Sequence, residues 1–262
     1  LSLQKGKFFI QDSIWTLKPD AQVAFKNHFI KVSDFEIYEK ENNLIVFGQI
    51  SDNPLDAIKI NFNQFNLSFL DFYIKGFDID MDGLVIGNVE LSSIWNNPGF
   101  LSDFVVKDFK FNGVDLHEVQ MNSLYSRSRK AIVLDMSIVS ADKIVKNIDL
   151  GGFFYPYEDD NQLDVEVRVN KLPVKSIAPF LTSFTSHIEG YADGKLNLKG
   201  NLDKLVILGS LDADIQDVKI DYTNVHYKIK DRFIFTPEYF GFDNATAQDM
   251  KGNKLLLTTK IY

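Results

Sequence analysis

The chain has 262 residues, a net charge of −8 and no cysteine. That balance argues against a nucleic-acid partner, which needs basic clusters, and the missing thiols exclude disulfides, thiolate metal sites and cysteine nucleophiles. Hydrophobic content of 45% is ordinary, but 23 Phe and 10 Tyr raise the aromatic share to 13% and suit a pleated sheet with one apolar face.

Residues 1–54 read as the tail of a repeat, with a strand-like run at Asn43–Ile50 and a turn at Ser51-Asp52-Asn53-Pro54. Residues 55–161 read as a first whole repeat. Ile58, Ile60 and Phe62 alternate as in a half-buried strand, whereas Leu70, Tyr73, Ile74 and Phe77 fall at i, i+3, i+4 and i+7 and predict a short amphipathic helix. A turn follows at Asn96-Asn97-Pro98-Gly99. Val106 and Phe109 then break the alternation around Lys107-Asp108, which predicts a bulge. The basic cluster Arg127-Ser128-Arg129-Lys130 reads as a solvated loop before a strand marked by Ile132, Leu134, Met136 and Ile138. Residues 162–262, opened by the turn Glu158-Asp159-Asp160-Asn161, read as a second repeat and the start of another. Its strands are marked by Val165/Val167/Val169, Leu196/Leu198, Leu211/Ala213/Ile215 and Val225/Tyr227/Ile229. Its short helix is marked by Ile177, Phe180, Leu181 and Phe184, and its bulge by Ile215 and Val218 around Gln216-Asp217.

The two repeats stand about 107 residues apart. Asn63-Gln64-Phe65-Asn66-Leu67 returns as Asn170-Lys171-Leu172-Pro173-Val174, and Asp82-Gly83 through Gly87 returns as Glu189-Gly190 through Gly194. The polar residues between differ, so what recurs is backbone and burial. Repeats build length and continuous surface rather than one enclosed pocket. The chain starts at Leu1 and closes in the strand-like Lys254–Tyr262, which predicts a piece of something longer. No run approaches the roughly 20 apolar residues of a membrane-spanning helix, and no signal-peptide pattern appears.

Catalysis finds no foothold in these residues. Asp78-Ile79-Asp80-Met81-Asp82-Gly83 opens like a calcium loop, but Val89 stands where a bidentate Glu belongs, and the segment reads better as a half-buried strand. His28, His117, His187 and His226 have no metal or triad spacing and read as surface or strand histidines. The glycines lack a phosphate-binding pattern. No enzyme, metal or cofactor is expected. What remains is the apolar face. A closed sandwich would end after about 100 residues, but this pattern runs on. A long curled sheet would then expose far more than the ~400 Å² of apolar surface tolerated without a ligand.

Leu172-Pro173-Val174, Ile177-Ala178-Pro179-Phe180-Leu181 and the run from Ile188-Glu189-Gly190-Tyr191 through Lys199-Gly200-Asn201-Leu202-Asp203-Lys204 carry a resemblance. With Gly209-Ser210-Leu211, Val218-Lys219-Ile220-Asp221-Tyr222 and Phe233-Ile234-Phe235-Thr236-Pro237-Glu238, they resemble the TamB family. This is the large subunit of the translocation and assembly module, related to AsmA-like proteins, and the likeness is to its Bacteroidetes type. It covers residues 163–262 and is one of pattern before that. The resemblance implies a mostly β, repeat-built antiparallel meander curled into a taco-like apolar trough. It implies a periplasmic protein held in the inner membrane by an anchor outside this chain. It also implies phospholipid or fatty acyl chains as cargo, and an outer-membrane barrel as partner through regions outside this chain.

On this reading Ile58, Ile60, Phe62, Ile132, Leu134, Met136, Val165, Val167, Val169, Leu196, Leu198, Leu211, Ile215, Val225, Tyr227 and Ile229 line the trough. Leu70, Tyr73, Ile74, Ile177, Phe180 and Leu181 cap it from the short helices. Two rivals stand beside it. One is an assembly chaperone whose strand edges bind nascent barrel strands by β-augmentation. The other is a plain structural or carbohydrate-binding β-domain with a closed core.

Overall fold

The computed structural model describes the chain except residues 11–12, 68–79, 96–98, 141–143, 182–184, 202–203 and 261–262, and except the side chains of Ile10, Pro179 and Phe180. The described residues form one antiparallel sheet. Its strands are β1 (Ser2–Leu3), β2 (Gly6–Ile10), β3 (Ser13–Leu17), β4 (Ala21–Lys26), β5 (Phe29–Glu39), β6 (Asn42–Ile50), β7 (Ala57–Asn66), β8 (Met81–Ser92), β9 (Gly99–Phe111) and β10 (Val114–Ser126). They continue as β11 (Ala131–Val139), β12 (Lys146–Phe154), β13 (Leu163–Pro173), β14 (Thr185–Gly200), β15 (Leu205–Ile220), β16 (Val225–Phe235), β17 (Phe240–Phe242), β18 (Ala245–Asp249) and β19 (Lys254–Leu257).

From β5 to β16 each strand pairs with its neighbours in sequence, so the sheet is a meander. The first strands are broken halves of longer ones. β3 and β4 together flank β5, with Asp20 at φ 70° between them, and β2 and β1 lie outside them in turn. At the far side β17 and β18 share β16, and β19 pairs with β18. Among the described residues β2 and β19 make no pair with each other, so the sheet does not close into a barrel. Pairing continues across residues 54–55 and 161–162, through β6·β7 and β12·β13.

Alternation decides the faces. In β13, Val165, Val167 and Val169 are buried on one side while Asp164 and Arg168 project from the other. Side chains directly opposite in neighbouring strands share a face, so the apolar side propagates from strand to strand. Burying each such side chain contributes about 1.5–3 kcal/mol. The packed residues form two clusters. One is centred on Trp15, Phe65, Val106 and Phe109, the other on Val165, Ile188, Leu211 and Ile229, and Ile148 and Leu172 touch both.

Irregularities recur at the spacing of about 107. Register shifts fall between Phe62 and Phe65 and between Val169 and Leu172. Gln64 and Lys171 carry φ of 51° and 48°, and Gly83 and Gly190 carry 147° and 141°. The bulges expected after Val106 and Ile215 are present: Asp108 has φ 52°, and the β15·β16 register shifts between Ile215 and Val218. Each extra residue raises local twist and bends the sheet.

Helix is nearly absent among the described residues, and the short helix expected in the second repeat is present but differs in type from the amphipathic α-helical pattern. Val174–Leu181 is a 3₁₀ helix. With three residues per turn instead of 3.6, its buried side is not the expected stripe: Val174 and Ser176 are buried, while Ile177 is 37% exposed. Leu181 does pack against the core. Leu67, at the matching position, also has 3₁₀ conformation, but the stripe of Leu70, Tyr73, Ile74 and Phe77 lies outside the described residues, as does Phe184.

Candidate functional site

Following the register across the sheet yields rows of side chains on the apolar face. One row contains Gly6, Leu17, Ile37, Leu44, Phe62, Gly87, Phe104, Met121, Met136, Leu150, Val167, Leu196, Gly209, Phe235 and Phe240, each opposite the next. Every position is apolar or glycine. Of these fifteen only Val167 is buried, and the others are half-buried. We call this the open row.

Two residues along each strand, and three on β7 where the register shifts, lies a second row: Phe65, Val85, Val106, Val119, Ile138, Ile148, Val169, Gly194, Leu211, Phe233 and Phe242. Eight of these eleven are buried. The clusters that contain most of this sealed row also take in Trp15, Phe109 and Leu116, Val174, Ala178 and Leu181 of the 3₁₀ helix, and half-buried members of the open row such as Phe62, Phe104, Leu150 and Leu196. Asn112, at the tip of the β9–β10 hairpin, donates from Nδ2 to the Ser176 carbonyl at 3.1 Å and ties that helix down.

The sheet bends towards this face. Trp15 on β3 and Phe65 on β7 have ring centroids 5.1 Å apart although β5 and β6 lie between their strands. Three strand spacings on a flat sheet would separate their backbones by about 14 Å. Glycines make room for large side chains in the same rows. Gly87, at φ 146°, sits between Phe62 and Phe104, and a Cβ there would meet the Asp103 carbonyl oxygen at 2.2 Å.

The sixteen residues expected to line a trough lie on the apolar side of their strands, eight of them buried in the core rather than open. Phe62, Met136, Val167 and Leu196 belong to the open row, and Val169 and Leu211 to the sealed one. Ile60, Leu134, Val165 and Leu198 occupy a third row. Ile58 and Ile132 lie one step beyond it, and Ile215, Val225, Tyr227 and Ile229 continue the face past the β15 bulge. Burial varies among them: Ile58, Val165, Val167, Val169, Leu211, Ile215, Tyr227 and Ile229 are core residues, and the rest are half-buried.

The third row holds two residues that alternation did not single out. It runs Phe35, Val46, Ile60, Val89, Ser102, Ser123, Leu134, Gly152, Val165, Leu198 and Ile207. Ser102 and Ser123 are 1% and 3% exposed, and neither Oγ has a hydrogen-bond partner. Leaving a buried hydroxyl unpaired costs about 1–3 kcal/mol. Tyr125, next along β10 on the same side, has its phenol pushed above the usual value by burial and then by the nearby Tyr157. A period-two pattern with a serine in an apolar slot is the one legible signal.

The opposite face is polar and cross-linked. Arg168 Nε pairs with Glu166 at 2.8 Å, Lys230 with Asp214 at 2.8 Å and Arg232 with Asp212 at 3.0 Å. Exposed pairs of this kind contribute about 0–1 kcal/mol each. The structure also gathers two histidines that sequence spacing kept apart. His226 Nδ1 lies 2.7 Å from Asp217 Oδ1, and His187 Nε2 lies 3.3 Å from Asp217 Oδ2. The register places both opposite Lys219, which chain separation alone could not show. Among the described residues no group of three or more His, Asp or Glu side chains is arranged to hold a metal ion. Of the calcium-like segment, Asp78 and Ile79 lie outside the described residues, and Asp82 Oδ1 accepts a hydrogen bond from the neighbouring Gly83 N–H.

No helix among the described residues is long and apolar enough to cross a membrane. No protein-family model, curated protein or solved structure matches the chain.

Proposed function

We propose that this chain is a segment of a TamB-like lipid conduit in the periplasm, built from two repeats and part of a third. In this reading the apolar face is the inside of a trough that shields phospholipid acyl chains between the inner and outer membranes. The observation that carries it is the open row. A line of apolar residues and glycines runs from β2 to β17 and stays half-buried at every position but Val167, although most of its neighbouring row is sealed. A globular β-domain with a closed core would bury both. Recurrence of bulges and left-handed residues at a spacing of about 107 supports the repeat organisation.

The chemistry of such a face is non-directional. Each buried methylene contributes about 0.8 kcal/mol, so chain length should matter more than chain identity. Nothing on the open row offers a nucleophile or a proton donor, and the role is one of passage rather than reaction. The 3₁₀ helix Val174–Leu181 caps one margin of the trough.

The test is native mass spectrometry with lipid extraction on protein purified from a bacterial envelope. The expected result is about one or more phospholipids or fatty acids per chain. A lipid-free monomer would overturn the conduit and favour strand-edge binding. One observation supports that second reading: β19 pairs only with β18 among the described residues and exposes Leu255 and Leu256. Such an edge could accept a further strand by β-augmentation.

A further inference from the structure

We infer that Ser102 and Ser123 form a hydrogen-bonding anchor for the ester carbonyl of an acyl lipid, set into the apolar face. The inference rests on the conduit reading and adds a position and a chemistry to it. The two serines face each other on β9 and β10. They are the only polar residues in a row that is otherwise apolar or glycine from Phe35 to Ile207.

Their neighbours on the same face are large. Phe100 and Phe104 flank Ser102 along β9, Met121 and Tyr125 flank Ser123 along β10, and Val89 and Leu134 stand at either side. These six are half-buried, whereas the two serines beneath them are nearly inaccessible. Both hydroxyls lie beneath these larger side chains, which must move aside for a ligand to reach them, and neither hydroxyl has a partner. Buried polar groups are almost always hydrogen-bonded, so an unpaired couple points to a missing acceptor. A lone water would find only these two hydroxyls among apolar walls, fewer partners than the about three that buried waters usually have.

The acceptor should be neutral. No charged side chain belongs to this row or the two rows beside it over β8 to β11, and an unpaired carboxylate in apolar surroundings is strongly disfavoured. The Tyr125 phenol at the rim is pushed above its ordinary value by burial and then by Tyr157, so it adds no charge. An ester carbonyl fits: it accepts two hydrogen bonds, carries no charge and is followed by a chain that the open row can take. Passage would then be a series of apolar steps with one polar resting point.

The test compares methyl oleate with 1-octadecene, a hydrocarbon of similar length, by displacement of the fluorescent probe diphenylhexatriene from the intact chain. Wild-type protein should prefer the ester by about tenfold, the yield of one to two net hydrogen bonds. The Ser102→Ala, Ser123→Ala variant should lose that preference and keep its affinity for octadecene, with an unchanged far-ultraviolet circular dichroism spectrum. Dioleoyl phosphatidylethanolamine and oleic acid in the same assay separate a phospholipid source from a free acid. Equal binding of ester and hydrocarbon by wild type would overturn the anchor and leave the conduit standing. A preference that survives in the double variant would place the acceptor elsewhere and also overturn it. Failure of wild type to bind either ligand would overturn the conduit itself.

Discussion

The open and sealed rows run side by side across the same strands and differ by two residues along each. Both are apolar throughout, yet one is core and the other is half-exposed surface. Val106 and Val119 in the sealed row are buried, whereas Phe104 and Met121, their neighbours on the same strands, are half-buried. Residue type therefore did not decide burial. Position in the curled sheet did: residues of both rows pack in the clusters that hold Trp15, Phe109, Leu116 and Val174, but the sealed row lies deeper in them. Core burial and surface exposure are thereby assigned to different rows of one sheet face.

The comparison can be broken most severely in the sealed row. Val106→Asp puts an unpaired carboxylate at a site that is 3% exposed. It should cost about 4 kcal/mol or more, read as a collapse of the urea midpoint. A small loss would mean that water reaches this row and that the contrast is illusory.

Gly87→Val tests the bend that brings the rows inward. The new side chain would meet the Asp103 carbonyl and would have to adopt a φ near 146°. A destabilisation of about 3 kcal/mol is expected, again by urea titration. The conformationally matched Gly194 should respond alike, because its Cβ would meet the Ser210 carbonyl oxygen at 2.3 Å.

The smallest effect on stability, and the largest on binding, should come from the open row. Met136→Asp combined with Leu196→Asp places two solvated carboxylates on half-buried positions of β11 and β14. The fold should survive with a loss of about 1–2 kcal/mol, while acyl-chain binding in the displacement assay falls at least tenfold. Unchanged lipid binding would show that the open row is not the contact surface. These positions discriminate better than Val167, which is apolar and inward but belongs to the core.

Much of this architecture is legible in the order of residues. Strict alternation at Val165, Val167 and Val169, and at Ile132, Leu134 and Met136, places each residue on one side of its strand because successive side chains point to opposite faces. The broken alternation at Val106 and Phe109, and at Ile215 and Val218, locates bulges for the same reason. The short helix differs in form from its pattern. An apolar spacing of i, i+3, i+4 and i+7 suits an α-helix, but eight residues pinned between β13 and β14 adopt the tighter 3₁₀ turn and present Val174 and Ser176 instead.

Other features have no local signature. Ser102 and Ser123 are 21 positions apart, and they stand opposite each other only because the irregularity at His117 is cancelled by the bulge at Asp108, which restores the register of the hairpin. The approach of His187 and His226 to Asp217 depends likewise on two hairpins meeting in register. Trp15 reaches Phe65 only because the sheet curls between them.

By itself, then, the sequence determined the alternating strands it marked from Ile58 onward, their faces and the bulges after Val106 and Ile215, since period and turn chemistry are local properties of the chain. The tertiary structure alone decided which apolar row is covered and which lies open, and which polar groups are stranded within it. Those depend on curvature and register summed over many strands, and no window along the chain contains them.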